Sequence, residues 1–452
     1  TAQWAMRKEA GERDALLAKS NHHELPYDRL SYANQDPFQL LQARKPSGED
    51  HEHSTSLMSF SVFLLGTGTL VAWNSLLAAV DYFRLSFPGS PSAAVWFTWL
   101  FEVATLVTLL LISQEGAKFS FSFRFGVGFL LVSTMLLCIP AAIDRLSEGM
   151  AWTLVFVLAG ILAMGSGVIE GSLWGFVSSI SSRSEAGVDL ATPAQAGQGF
   201  AGLLVCGFRI LTKATFSESD TGVAFFAISS MIALICAAVG YAISLNIPPV
   251  PPDRALRWGE KLAIMKQVGV YAWSQIVINA TTMAVFPGMA TNVEGSTLGL
   301  TRGWLSVIVV SIYAATDTLG NATGAPISRL FRKKSKGSLY SIIEDGMPTL
   351  LGMSYLRVVF IPSFMVFGGD AIRSDLMLFF TTAALGYSNG ALSVVCMTYA
   401  PQACLSFNPD IGSVREREHA GYIMVVALLL GVSLGATVAI PLNFIVSEIK
   451  GQ

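Results

Sequence analysis

Glu170 and Asp317 stand out because each is a carboxylate inside a long apolar run. An ionised side chain there is costly unless it is paired, hydrated or protonated. Glu170 sits in Val-Ile-Glu-Gly-Ser-Leu-Trp-Gly, residues 168–175. It either pairs with a neighbouring helix or reads a polar ligand, and its depth in the run favours the ligand. Asp317 and Asn321 lie one helical turn apart and share a face. A carboxylate beside an amide suits hydroxyls and ring N–H groups, although a pair between helices would use the same atoms. Trp73 and Asn74 close the run 66–74, which also holds Leu70. Tryptophan favours the membrane interface. In mid-run its ring either packs against other helices, with Asn74 bonded to a backbone, or offers a flat face to a planar ligand. Asn389, in Tyr-Ser-Asn-Gly, supplies a further amide, and Phe286-Pro287-Gly288 marks a break able to bend.

Such residues need helices to carry them across a bilayer. Eleven apolar stretches are available, near 57–80, 93–113, 125–144, 151–178, 193–214, 221–245, 263–286, 302–323, 350–368, 375–398 and 418–446. Each is about the ~20 residues that a helical crossing requires. The chain is 52% hydrophobic and 13% charged, with mean hydropathy +0.54. Those values predict an all-α integral membrane protein, since lipid admits only helices and closed barrels. Gly171 and Gly175 in the fourth span, and Gly197, Gly199 and Gly202 in the fifth, mark faces where helices approach closely. Arg209 lies inside the fifth span, with Glu102 and Glu170 both available as partners.

Basic residues crowd the even-numbered loops, as in Arg254, Arg257, Lys261 and Lys266, and again in Arg329, Arg332, Lys333, Lys334 and Lys336. The positive-inside rule then places the N-terminus in the cytosol and, with an odd number of spans, the C-terminus outside. Residues 1–56 read as a polar cytosolic tail without a cleavable leader. Four prolines between 248 and 252 end the sixth helix. They divide the chain into a six-helix half (57–247), a short cytosolic linker (248–262) and a five-helix half (263–452). A net charge of −2 gives no reason to expect nucleic acid as a partner. There is no phosphate-binding Gly-rich loop, no His-Glu-x-x-His and no metal spacing among the five cysteines. The expectation is a transporter rather than an enzyme, without metal or cofactor.

Several stretches, taken in order, resemble the equilibrative nucleoside transporters over essentially all eleven spans. They are 66–74, 170–175, 197–202, Phe286-Pro287, 317–320, Leu-Arg-Val-Val-Phe-Ile-Pro at 356–362, 388–390 and 419–421. The resemblance implies a major-facilitator-like fold with a central cavity between the six-helix and five-helix halves, and alternating access by rocking of those halves. It implies nucleosides or nucleobases as substrates, purine nucleosides first, and a multi-pass protein of the plasma membrane. By the same resemblance Trp73 lines the cavity, Phe286 faces the base, and Asp317 contacts the ribose side. Glu170 stands where the family usually has Gln, and Asn321 where it usually has Arg. Trp73 and Phe286 would stack on the base, Glu170 would read its polar edge, and Asp317 with Asn321 would hold the sugar. Leu70, Asn389 and the Pro287 break complete the expected site. Those two departures make the site more acidic, which opens two rival readings: a proton-coupled symporter and an organic-cation carrier. A nucleoside-binding membrane receptor is the alternative outside transport. No oligomeric state follows from the sequence.

Overall fold

The computed structural model describes residues 48–88, 93–115, 119–181, 190–217, 220–245, 258–292, 296–334, 339–368, 374–403 and 413–449. The tail up to residue 47, most of the 248–262 linker and several loop residues of the orientation pattern, Arg183 and Arg254 among them, lie outside these. All regular structure within them is helical. In chain order the helices are α1 (Gly48–Ala78), α2 (Val80–Ser86), α3 (Ala93–Glu115), α4 (Phe121–Arg145), α5 (Glu148–Ser181), α6 (Ala191–Thr215) and α7 (Asp220–Leu245). There follow α8 (Trp258–Val285), α9 (Gly288–Thr291), α10 (Arg302–Lys334), α11 (Leu339–Leu356), α12 (Phe360–Gly368), α13 (Asp375–Ala403) and α14 (Ser413–Ile449).

Among the described residues, nine helical segments are long and apolar enough to cross a membrane. The two remaining long helices, α6 and α8, are diluted by polar side chains. Gln195, Gln198, Arg209 and Lys213 lie on α6; Lys261, Lys266, Gln275 and Asn279 lie on α8. Hydroxyl residues within α1 are tolerated because they bond to their own helix. Thr69 Oγ1 donates to the Gly66 carbonyl at 2.7 Å and Ser75 Oγ to that of Val71 at 2.7 Å.

The expected ninth span is not one helix. A 3₁₀ turn at Arg357–Val359 separates α11 from α12. Pro362 explains the position of the break: it lacks an N–H, and its ring crowds the carbonyl four residues earlier, that of Val358. At the other expected break, α8 stops at Val285 and α9 begins after Phe286-Pro287, whose peptide is cis.

Helix α4 packs on both α5 and α7, with α3 against α5, while α8 packs on α14 and α10 on α13. These two neighbourhoods meet along α6 with α10 and α3 with α14. Glycine makes the closest crossings possible. A Cβ at Gly66 would overlap the Ala194 carbonyl, and one at Gly197 the Phe63 carbonyl, so α1 and α6 touch backbone to backbone.

Candidate functional site

Between the two neighbourhoods lies a cavity of about 170 Å³, lined from α1, α3, α5, α6, α8, α10, α13 and α14. Leu70, Trp73, Glu170, Asp317, Asn321 and Asn389 all reach it. The cavity has two chemically distinct ends.

At one end Glu170, only 5% exposed, is held on α5. Its Oε1 accepts from Trp174 Nε1 at 3.0 Å, one turn along the same helix, and from Gln198 Nε2 of α6 at 2.9 Å. The same Gln198 nitrogen also reaches Thr69 Oγ1 at 3.2 Å. Glu102 of α3 faces the cavity beside Glu170. The Trp73 and Phe101 rings, with centroids 5.4 Å apart, form the adjoining wall.

At the other end Asp317 is gripped by amides. Asn389 Nδ2 of α13 donates to its Oδ1 at 2.9 Å, and Asn321 Nδ2, one turn along α10, to its Oδ2 at 3.1 Å. Arg357 stands behind these residues, on the 3₁₀ turn. Its Nη2 donates to Thr282 Oγ1 at 2.5 Å and its Nη1 to Ser388 Oγ at 2.9 Å. Thr282 Oγ1 in turn donates to Asn389 Oδ1 at 2.8 Å. A chain of donors thus runs from a buried guanidinium through Thr282 and Asn389 to Asp317, each bond polarising the next.

Other expected residues fall elsewhere. Phe286 is fully buried and does not line the cavity. Its ring stacks on Tyr313 at 4.1 Å, and Tyr313 is the aromatic that reaches the cavity. Phe286 sits where α8 gives way to Pro287, and its ring lies against Tyr313 of α10 instead of lining the opening. Arg209 pairs with neither Glu102 nor Glu170. Both of its Nη2 bonds go to Asp81 of α2, at 2.8 Å, and Lys213 joins the same carboxylate at 2.5 Å. Asp81 lies just past the expected end of the first span, where an acidic residue reads as a loop residue.

The glycines sit at crossings. A Cβ on Gly199 would press on Asn321, and one on Gly202 on Asn74 and Ala314. Gly175 lies under Tyr422 of α14, whose hydroxyl donates to the Gly171 carbonyl at 3.3 Å. A Cβ on Gly171 itself would meet Leu109 and Ile112 of α3. Pro287 lies in the break between α8 and α9.

Sequence reasoning missed Glu102 as a cavity residue and Arg357 as its buried cation. Glu102 was detectable by the same signal as Glu170, an acid in an apolar run. Arg357 was detectable as the charge in Leu-Arg-Val-Val-Phe-Ile-Pro.

Residues 253–444 match the nucleoside transporter family. Among curated relatives, the chain is 25% identical to equilibrative nucleotide transporter 1 of Arabidopsis thaliana, covering 83% of this chain and 84% of that one. It is 24% identical to equilibrative nucleoside transporter 4 of Homo sapiens, covering 87% and 84%. Among solved structures, the nucleoside transporter NupG superposes with TM-score 0.54 at 12% identity, over 87% of this chain and 97% of that one. A bacterial homologue of the human lysosomal transporter Spinster gives the same TM-score and identity, over 84% and 81%. These two likenesses fix the fold as major-facilitator-like. With its all-helical fold, its apolar spans and relatives aligned over most of its length, the chain is similar to the equilibrative nucleoside and nucleotide transporters, and its C-terminal part matches the nucleoside transporter family.

Proposed function

We propose that this protein is a facilitative carrier of nucleosides, purine nucleosides first, working by alternating access at the central cavity. The observation that carries the reading is the cavity lining: an aromatic wall at Trp73, three carboxylates, several amides and no lysine or arginine among the described residues. An aromatic face suits a base, and the Asp317–Asn321–Asn389 cluster suits ribose hydroxyls. A phosphate would meet Glu102, Glu170 and Asp317 with no cation in contact, so nucleosides fit where nucleotides do not. Trp73 and Tyr313 take the aromatic role, with Phe286 supporting Tyr313 from behind. In this reading eleven spans cross the plasma membrane as six and five, with the N-terminus cytosolic and the C-terminus outside.

A second reading, proton-coupled symport, is favoured by the proximity of Glu102 and Glu170 at one end of the cavity. Uptake of labelled adenosine into liposomes holding the purified protein, with and without an inward proton gradient, tests both. Saturable uptake that levels off at equal concentrations in both conditions is the expected outcome. Accumulation only with the gradient would establish symport instead, and saturable binding without flux would make the protein a receptor. AMP in tenfold excess is expected to leave adenosine uptake unchanged; strong competition by AMP would overturn the assignment to nucleosides over nucleotides.

A further inference from the structure

Glu102 is only 5% exposed, yet among the described residues no hydrogen-bond donor reaches its carboxylate. It faces the same end of the cavity as Glu170. The neighbouring polar groups have spent their hydrogens elsewhere. Thr105 Oγ1 donates to the Ala163 carbonyl at 3.3 Å, and Ser166 Oγ to the Thr69 carbonyl at 3.2 Å. Gln198 Nε2 is occupied by Glu170 and Thr69, and Trp174 Nε1 by Glu170. Around Glu102 what remains open is a set of acceptors: both oxygens of Glu102, the second oxygen of Glu170 and the Thr105 and Ser166 hydroxyl oxygens.

Acceptors buried without protein donors are costly, and a ligand that brings donors to them removes that cost. A primary amino group on an aromatic ring brings two N–H donors in one plane, enough to meet both carboxylates while the ring lies along Trp73 and Phe101. A keto oxygen at the same ring position brings none and would face like-signed oxygens. We propose that Glu102 and Glu170 form a clamp that selects nucleosides whose base carries an exocyclic amino group. The inference rests on the reading of the protein as a nucleoside carrier and sharpens it: adenosine and cytidine over inosine and uridine, with Glu102 the residue that decides.

The test is equilibrium binding of these four nucleosides to the purified full-length chain and to its Glu102→Gln variant. In the wild type, adenosine is expected to bind about tenfold or more tightly than inosine, and cytidine than uridine, as a site built around hydrogen bonds rejects ligands that lack them. Glu102→Gln places an amide donor in the clamp and is expected to bring both ratios close to one. Ratios unchanged in a variant that melts like the wild type would overturn the proposal. Should the variant fail to purify, the wild-type ratios decide alone, and values within twofold of one would overturn it. Tetraethylammonium, which has charge but no N–H, is expected to compete weakly. If it displaces adenosine as well as cytidine does, charge is being read and not the amino group. Nucleosides bound without any amino preference would refute the clamp alone, whereas no binding of any nucleoside would refute the carrier reading and the clamp with it.

Discussion

Asp317 owes its orientation to amides and, at one remove, to a cation on another helix. The resemblance to equilibrative nucleoside transporters implies an Arg one turn after the Asp. Here Asn321 occupies that place, and the buried positive charge comes from Arg357 through Thr282 and Asn389. Two outcomes follow for uptake assays. Asp317→Ala should abolish adenosine uptake while the protein still reaches the membrane; wild-type uptake would remove Asp317 from the site. Arg357→Ala should raise the adenosine KM about tenfold, the equivalent of ~1.4 kcal/mol, because Asn389 loses one of the groups that hold it. Arg357→Lys should recover only part of this, since an ammonium cannot span Ser388 and Thr282 as the planar fork does. Full recovery by Arg357→Lys would show that the fork geometry does not matter. Much of this site was legible in the sequence because a polar or aromatic residue in an apolar run is conspicuous, as Trp73, Glu170, Asp317 and Asn389 are. Phe286 was not, because which way a ring turns at a helix end depends on the break beside it.

Helices α10 and α13 cross so tightly that their backbones touch, and that contact brings Asp317 within reach of Asn389. A Cβ on Gly320 would overlap the Tyr387 carbonyl, and one on Gly390 the carbonyl of Asp317 itself. Gly390→Ala should therefore force the helices apart, costing about 1–3 kcal/mol of stability, and lower uptake with it. Gly207 is the control, since a Cβ there would meet nothing within 4 Å; Gly207→Ala should leave both thermal stability and uptake unchanged. A Gly390→Ala protein as stable as the control would mean that the crossing can relax. At this scale the apolar stretches located the helices, α6 and α8 included, although these two carry more polar residues than the others, several of which face the cavity or a buried ion pair. Gln198 and Asn279 line the cavity, and Arg209 finds Asp81. The split of the ninth span followed from Pro362, a local signal that hydropathy alone passes over.

On the proposed alternating access the cavity must close at one end, and side-chain contacts cross where α2 meets α9 and α10. Arg84 Nη1 donates to Ser306 Oγ and its Nη2 to the Thr291 carbonyl, both at 3.2 Å. Beside it Lys213, anchored on Asp81, lies over the Trp304 ring at 5.6 Å. The Asp81–Arg209–Lys213 cluster stays within the first neighbourhood, so it can travel as a rigid body. The Arg84 bonds and the Lys213–Trp304 contact cross to the second and must break if that end is to open. By the expected orientation this end faces the outside of the cell. Leu77 lines the cavity nearby and is 4% exposed, so a cysteine placed there reports opening through its reaction with a membrane-impermeant thiol reagent. Removing the guanidinium with Arg84→Ala should raise the population open at that end and speed labelling of Leu77→Cys about fivefold, the equivalent of ~1 kcal/mol. Adenosine added outside should then be captured at a lower concentration, since less of the binding energy goes into opening the seal. An unchanged labelling rate would show that the Arg84 bonds do not hold this end shut.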